Sequence, residues 1–166
     1  MTDTIMAKPL PFLPTKTPSL HTRSTEVDSA TIGTPEFQAF LDDLTETMFS
    51  SDGVGMAAPQ VGRHERIFVV NERKGHGVYI NPEVTLLTEL TEDSEEGCFS
   101  VPGVWGFVKR AKKVRVKALN RHGRRVEFDV KGFHAFVFQH EFDHLEGILF
   151  IDKAFKIERG ADLLKK

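Results

Sequence analysis

The stretch "FHAFVFQHEFDHLEG", residues 133–147, decides what kind of fold this chain can adopt. Two histidines, His140 and His144, stand four residues apart, and Glu141 follows the first of them directly. Residues at this spacing share one face of an α-helix, so both imidazoles can reach a single metal ion. Glu141 lies about 100° further round the helix, where it is better placed as a base than as a ligand. The pattern predicts a helix that carries two metal ligands and a base.

We expect this helix to run from about His134 to Glu146, with Gly147 at its end. The two histidines share one stripe of the helix with apolar side chains, namely Phe133, Phe136 and Val137. Burying histidines without partners would cost a few kcal/mol. Metal binding therefore explains an apolar stripe interrupted by two histidines better than ordinary packing does.

A catalytic metal needs a third protein ligand, and the stretch itself does not supply one. In most metallopeptidases with this motif the third ligand lies downstream, where the chain offers Glu146, Asp152, Glu158 and Asp162. Upstream, the single cysteine Cys98 stands beside Gly97, and a glycine lets the backbone approach a site closely. A lone cysteine is more often a small core residue. The residues alone leave Glu158 and Cys98 open.

Composition limits the class of protein. The chain has 166 residues, 40% of them hydrophobic and 28% charged, with a formal net charge of -2, which is typical of one globular domain without a nucleic-acid footprint. No apolar run approaches the ~20 residues of a membrane span, and the first thirty residues lack the pattern of a signal or transit peptide. We expect a cytoplasmic protein of bacterial type, and in second place one of an organelle of bacterial origin. No direct membrane or nucleic-acid binding is expected.

Two further patterns predict the rest of the fold. "TPEFQAFLDDLTETMFSS", residues 34–51, begins with a capping Thr34 and continues with an amphipathic helix. Its apolar stripe consists of Phe37, Phe40, Leu41, Leu44 and Met48. Between the two helices, "RIFVV" and "VYINPEV" predict strands, and the alternation within residues 107–130 predicts an antiparallel hairpin. The sequence therefore predicts an α+β fold, with antiparallel sheets packed around the helix that carries the metal-binding motif.

Three stretches together resemble the motifs of the peptide deformylase family. They are "GVGMAAPQ" at residues 53–60, "EGCFS" at 96–100 and "HEFDH" at 140–144, in the order and with the spacing of that family. The resemblance covers roughly residues 12–155, including "PGVWGFVKRAKKVRVKALNRHG" after the cysteine. It implies a single catalytic domain over residues 1–166, with residues 1–11 as a mobile arm and residues 156–166 as a weakly matched tail. It also implies that the third ligand is Cys98.

The resemblance implies a reaction and a set of catalytic residues. The reaction would be removal of the N-formyl group from the N-terminal methionine of newly made polypeptides, with release of formate. Glu141 would move the proton, while the side-chain amide of Gln60 and the backbone N–H of Phe99 would donate to the formyl oxygen. Phe99 replaces the leucine that is common in the family, which is tolerable because the family uses the backbone N–H.

Substrate contacts are implied as well. The backbones of Val54, Gly55 and Gly97 would bind an extended peptide. The methionine side chain would lie in a slot lined by Phe133, Phe136 and Val137, together with Val54 and Trp105. Trp105 departs from the family, because a number of members have arginine there, so contacts beyond the first residue of the substrate stay open.

The metal does not follow from the ligands. A Cys-His-His set suits Zn²⁺, Fe²⁺, Co²⁺ or Ni²⁺, and the resemblance implies Fe²⁺ as the physiological ion, with Zn²⁺ often bound instead. Arg110 and Asp143 are predicted either to steady the metal-binding helix or to form an ordinary surface ion pair. The expected partner is an N-formylmethionyl peptide, with the ribosome as a further candidate, and the expected state is a monomer.

Two alternative functions remain at this point. A zincin-like metallopeptidase would not need Cys98 to hold its metal. A non-catalytic relative would bind metal or formyl peptide without releasing formate, and the presence of Glu141 and Gln60 argues against it.

Overall fold

The computed structural model of the protein describes residues 6–166, and the following elements belong to that part of the chain. The helices are α1 (Pro35–Ser50), α2 (Phe133–Leu145) and the short α3 (Phe150–Lys153). The strands are β1 (Gly55–Ala57), β2 (Ile67–Glu72), β3 (Gly75–Leu86), β4 (Thr91–Cys98), β5 (Val101–Ala111), β6 (Lys113–Leu119), β7 (Arg125–Lys131) and β8 (Lys156–Arg159). Short 3₁₀ turns occur at Pro18–His21, Ser29–Thr31, Ala58–Val61 and Ala161–Lys165.

The strands form two antiparallel sheets. One sheet has the order β1-β2-β3-β6-β7, and the other has the order β4-β5-β8. Helix α2 packs against β1, β2, β3 and β7 of the first sheet and against β5 of the second. The predicted α+β fold, with sheets around the metal-motif helix, is confirmed.

Helix α1 has the N-terminus and the buried face that its sequence predicts. Thr34 Oγ1 accepts a hydrogen bond from the N–H of Phe37 at 3.3 Å, and Pro35 occupies the first helical position. The buried apolar side chains are Phe37, Leu41, Leu44 and Met48, with Phe40 half-buried. They pack on β1 and β2, and so fix the start of the segment that leads into the site.

The predicted hairpin is formed by β6 and β7. Val114 and Val116 are fully buried, while Arg115 and Lys117 on the opposite face are exposed, as strict alternation requires. At the connecting turn the side chain of Asn120 accepts from the N–H groups of His122 and Arg124. This end of the large sheet is therefore set by local sequence.

Helix α2 begins one residue earlier than expected and ends at Leu145. Gly147, just beyond it, has φ +75, and a Cβ there would lie 2.6 Å from the backbone nitrogen of Thr22. Only glycine therefore fits this helix end. On the face opposite the histidines, Phe138 packs edge-on against Phe68, so α2 is buried on two sides.

Strands β4 and β8 are among those that the sequence does not predict. Strand β4, "TEDSEEGC", is acidic yet pairs along its whole length with β5, and the register shifts between Gly97 and Cys98. Strand β8 adds the tail to the same sheet by pairing with β5 at Trp105 and Gly106. Residues 156–166 of the tail are thus part strand and part 3₁₀ turn.

The segment before α1 runs along the surface of the protein. The expected mobile arm, residues 1–11, lies partly outside the described residues, which begin at residue 6. Further along, the N–H of Lys8 donates to Asp43 and the N–H of Leu10 donates to Thr47. In residues 6–166, no helix is long and apolar enough to span a bilayer.

Candidate active site

Cys98, His140 and His144 come together where the end of β4 meets α2. Their ligand atoms all lie within 4.8 Å of one another, and Sγ of Cys98 is 3.3 Å from Nε2 of His144. Two imidazoles and a thiol at these separations fit one tetrahedral ion, with a fourth position left for water or substrate. The residues present therefore fit a catalytic metal. Glu158, the downstream alternative, instead forms an ion pair with Lys156 on β8.

The cysteine is held by strand pairing rather than by a helix. Cys98 ends β4 and is opposite Val101 at the start of β5, so that Phe99 and Ser100 form a two-residue turn. Burial alone would raise the pKa of the Cys98 thiol, but the charge of His144 and hydrogen bonds from both histidines lower it well below its usual range. The thiolate, which is the metal-binding form, is favoured.

His140 is oriented by a carboxylate behind it. Its Nδ1 lies 2.7 Å from Oε1 of Glu96, which leaves Nε2 as the ring nitrogen free to bind a metal. Burial tends to lower the pKa of His140, but the neighbouring Cys98 and Glu96 raise it well above its usual range. The surroundings of the imidazole thus stabilise positive charge, as a metal site should.

Behind Glu96 lies a buried arginine. Arg110 donates through Nε and Nη2 to the two carboxylate oxygens of Glu96, both at 2.8 Å, and through Nη1 to Asp143 at 2.6 Å. Burial tends to raise the pKa of Glu96, but hydrogen bonds from Arg110 and His140 lower it to about 2. Arg110 on β5 therefore links Glu96 on β4 to Asp143 on α2. Its pair with Asp143 is buried and is not a surface ion pair.

Glu141 has the surroundings of a base. The side chain is buried beside β1, and its Oε2 makes no hydrogen bond with any described residue. Burial raises the pKa of Glu141 to about 7, although the nearby charges of His140 and His144 act in the opposite direction. A carboxyl group poised near neutrality suits the gain and return of a proton.

The side chain of Gln60 faces the thiolate. Its Oε1 accepts from the N–H of Ala57 at 2.9 Å, so its amide Nε2 faces Cys98 Sγ at 3.5 Å and Ser100 Oγ at 3.1 Å. The turn at Ala58–Val61 places this side chain, which is 2% exposed. Its N–H₂ group therefore points toward the thiol of the three-residue cluster.

A cavity of about 880 Å³ opens onto this cluster, a size that is typical of ligand sites. Every site residue expected from sequence lines it except His144, which is buried. These residues are Val54, Gly55, Gln60, Gly97, Cys98, Phe99, Trp105, Phe133, Phe136, Val137, His140 and Glu141. Gly55 and Gly97 allow close approach, since a Cβ at Gly55 would lie 2.6 Å from Oε1 of Glu141 and one at Gly97 would lie 3.0 Å from the Trp105 ring.

Sequence reasoning missed two groups of residues. Glu96 and Ser100 are the first and last residues of the cysteine motif, but nothing in the sequence showed that they contact His140 and Gln60. The other group is residues 12–15, which line the cavity although they lie far from every motif in sequence. No periodic or compositional signal marks these four residues, because their role depends only on where the chain passes.

Comparisons with known proteins agree with this geometry. The family model described as polypeptide deformylase matches residues 9–160. A peptide deformylase of Fusobacterium nucleatum is 54% identical over 121 residues, which cover 71% of this chain and 68% of that protein.

Solved structures show the same similarity. The peptide deformylase of Thermotoga maritima superposes with a TM-score of 0.83 at 38% identity, covering 88% of this chain and 97% of that one. A class I type b peptide deformylase of Acinetobacter baumannii, with Met-Ala-Ser bound, gives a TM-score of 0.84 at 34% identity over 89% of this chain and 99% of that one. With its Cys-His-His cluster and buried glutamate at the end of one cavity, this chain belongs to the polypeptide deformylase family.

Proposed function

We propose that this deformylase acts through Cys98, His140 and His144 as metal ligands and through Glu141 as the proton-transfer group. The reaction is hydrolysis of the N-formyl group of newly made peptides, which yields formate and a free amino terminus. One observation supports these roles above all. The carboxylate of Glu141, whose Oε2 has no hydrogen-bond partner among residues 6–166, and the amide of Gln60 both lie beside the three-ligand cluster.

The chemistry divides between the metal and the protein. A divalent ion held by this cluster would lower the pKa of a water molecule and polarise the formyl carbonyl. Glu141 accepts a proton from the attacking water and returns it to the departing amine. As negative charge develops on the formyl oxygen, the Gln60 side-chain amide and the Phe99 backbone N–H donate hydrogen bonds to it.

The peptide substrate is proposed to bind as an added strand. Both β1 and β4 are edge strands in the described sheets, and each contributes a glycine, Gly55 or Gly97, to the cavity wall. The backbone groups there, with that of Val54, can pair with an extended peptide. A related deformylase with Met-Ala-Ser bound supports a short peptide as the ligand.

The first side chain of the substrate would lie against α2. Phe133, Phe136 and Val137 face the cavity from the helix that carries the metal ligands. Val54 and Trp105 contribute apolar surface from other elements. An unbranched, polarisable methionine side chain suits such a slot, and we propose that this is how N-terminal methionine is selected.

For the metal we propose Fe²⁺, with Zn²⁺, Ni²⁺ or Co²⁺ as ions that the same ligands accept. The thiolate and the two imidazoles support a soft to intermediate divalent ion. The test is to prepare the protein without oxygen, load each ion separately and measure activity before and after exposure to air. Activity that is highest with Fe²⁺ and decays in air would support iron.

Formate release from N-formyl-Met-Ala-Ser tests the proposed function. We expect release from the metal-loaded protein, and a loss of at least a hundredfold in Glu141→Gln with one metal ion per chain retained. Glu127→Gln, an exposed glutamate on β7, is the matched control and should keep full activity. No release from wild-type protein with one metal ion per chain would overturn the proposal.

The zincin-like alternative has its own test. Cys98→Ser should reduce both metal content and formate release if the thiolate is a ligand. A metallopeptidase that used a downstream carboxylate would keep its metal in this variant and would cleave unformylated peptides. Retained metal in Cys98→Ser would therefore contradict the proposed ligand set.

A further inference from the structure

Residues 12–15, here called the N-terminal strap, cross the wall of the cavity. The ring of Phe12 stacks on the ring of Phe99, with centroids 5.2 Å apart and planes 10° from parallel. The N–H of Leu13 donates to the carbonyl of Gln60 at 2.9 Å, and the hydroxyl of Thr15 donates to the carbonyl of Ser100 at 2.5 Å. The strap thus contacts both segments that carry the proposed hydrogen-bond donors, the turn with Gln60 and the turn with Phe99.

The turn beneath the strap needs such support. Phe99 and Ser100 form its tip, and the pairing of β4 with β5 changes register just before it, between Gly97 and Cys98. A register shift interrupts the regular ladder of hydrogen bonds, so a single pair, Cys98 with Val101, closes the turn beyond the shift. The side chain of Phe99 remains 36% exposed at the cavity wall even with Phe12 against it.

The strap holds this tip on two sides. Phe12 covers one face of the Phe99 ring, and the hydroxyl of Thr15 donates a hydrogen bond to the carbonyl of Ser100. From the interior, Gln60 Nε2 lies 3.1 Å from the Ser100 hydroxyl. Removal of the strap contacts would take away the ring stacked on Phe99 and the hydroxyl donor to the Ser100 carbonyl, and would leave Gln60 as the side chain bonded to the Ser100 hydroxyl.

We propose that Phe12 and Thr15 are positioning residues of the deformylase reaction, because they hold the Cys98–Val101 turn so that the Phe99 N–H points at the substrate oxygen. This inference rests on the proposed donor role of Phe99. A donor acts only when it lies about 2.7–3.1 Å from the developing charge, and misplacement by about 1 Å can cost roughly a hundredfold in rate. Neither residue touches the reacting atoms; both act through the turn.

The kinetic test uses Phe12→Ala and Thr15→Val in the metal-loaded enzyme. We expect kcat for formyl-Met-Ala-Ser to fall by roughly tenfold to a hundredfold, with a smaller change in KM and one metal ion per chain retained. Phe12→Tyr keeps the stacked ring and Thr15→Ser keeps the hydroxyl, so each should restore most of the rate. Phe12→Leu, which keeps bulk without a ring, covers the case in which the alanine variant fails to fold.

Two matched controls distinguish positioning from general loosening. Thr25→Val removes another threonine hydroxyl from the segment that precedes α1. This hydroxyl donates to the carbonyl of His64 at 3.0 Å, away from the site. Phe49→Ala removes another half-exposed phenylalanine, which contacts His76 and does not line the cavity. Both controls should keep the wild-type kcat. A loss in the controls equal to that in the strap variants would overturn the proposal.

A second readout does not depend on activity. Backbone ¹⁵N order parameters of Phe99 and Ser100 should fall from the rigid range, about 0.85, towards 0.6 in the strap variants but not in the controls. If wild-type protein released no formate, the proposed function would fail, yet the order parameters would still report whether the strap holds the turn. Unchanged order parameters, or a mobile turn with full kcat, would overturn the inference.

Discussion

Glu96 Oε1 lies 2.7 Å from Nδ1 of His140, and the same carboxylate accepts two hydrogen bonds from Arg110. The imidazole of His140, a proposed metal ligand, is thus held in place by the carboxylate of Glu96, and the buried guanidinium of Arg110 fixes the position of that carboxylate. Glu96 belongs to β4 and His140 belongs to α2, so the candidate site depends on how these two elements pack.

Replacement of Glu96 should weaken metal binding without removing any ligand. We expect Glu96→Ala to lower metal affinity by roughly tenfold to a hundredfold, because His140 loses the acceptor that fixes its ring. Competition with a chromogenic chelator measures the affinity. Glu92→Ala, on the same strand but exposed and paired with Lys112, is the matched control. An unchanged affinity in Glu96→Ala would show that the carboxylate does not orient the ligand.

Loss of Arg110 should destabilise the protein strongly. The side chain is 2% exposed and pairs with Glu96 and Asp143, so Arg110→Met would remove the guanidinium that these two buried carboxylates share. Removing one member of a buried ion pair costs about 3–5 kcal/mol. Urea unfolding of the metal-free protein should show a fall of this order.

Arg115 offers a control for that measurement. It is exposed on β6 and pairs with Asp129, and exposed pairs contribute little because solvent screens them. Arg115→Met should therefore unfold close to the wild-type midpoint. Equal effects of the two substitutions would contradict the distinction between the buried network and the surface pair.

A methyl group at Gly55 should displace the base. The Cβ of alanine would lie 2.6 Å from Oε1 of Glu141, which is too close for a carbon–oxygen contact, so the carboxylate has to move. We expect Gly55→Ala to lose about a hundredfold or more in kcat, with its metal retained. Gly33→Ala is the control, because a Cβ there meets nothing within 4 Å. Near-normal kcat in Gly55→Ala would place the functional carboxylate elsewhere.

Alkaline pH should destabilise the protein through Tyr79. Burial, followed by the hydrogen bond to Glu72 and the charge of that carboxylate, raises the Tyr79 pKa well above its usual value. Above about pH 10 the unfolded state loses this proton while the folded state keeps it. The folded state then binds more protons, so the free energy of unfolding decreases as pH rises, by up to about 1.4 kcal/mol per pH unit.

Substitution separates this effect from other alkaline titrations. Tyr79→Phe should remove the part of the pH slope of the unfolding free energy that Tyr79 causes. Glu72→Gln should reduce that part, because two of the three causes of the raised Tyr79 pKa involve Glu72. Urea unfolding between about pH 8 and 11 measures the slope. Identical slopes for wild type and Tyr79→Phe would mean that the phenol titrates normally in the folded protein.

The local sequence determined the elements whose side chains repeat with a helical or strand period. Helix α1, helix α2 and the β6–β7 hairpin follow from apolar spacing, from capping residues such as Thr34 and from turn residues such as Asn120. The spacing of His140, Glu141 and His144 within one helix likewise fixed which side chains share a face. These properties depend on neighbours within a few residues, which the sequence displays directly.

Tertiary structure decided the parts that have no period. Strand β4 is acidic and has little intrinsic preference for a strand, so it forms because β5 pairs with it, and this pairing brings Cys98 to the histidines. Glu96 contacts His140, which lies 44 positions later in the chain. Phe12, which lies far ahead of the cysteine motif in sequence, contacts Phe99 within that motif. Such contacts arise from the packing of whole elements. The sequence therefore predicted two histidine ligands and a base, and its family resemblance added Cys98, while the folded chain decided how each side chain is oriented.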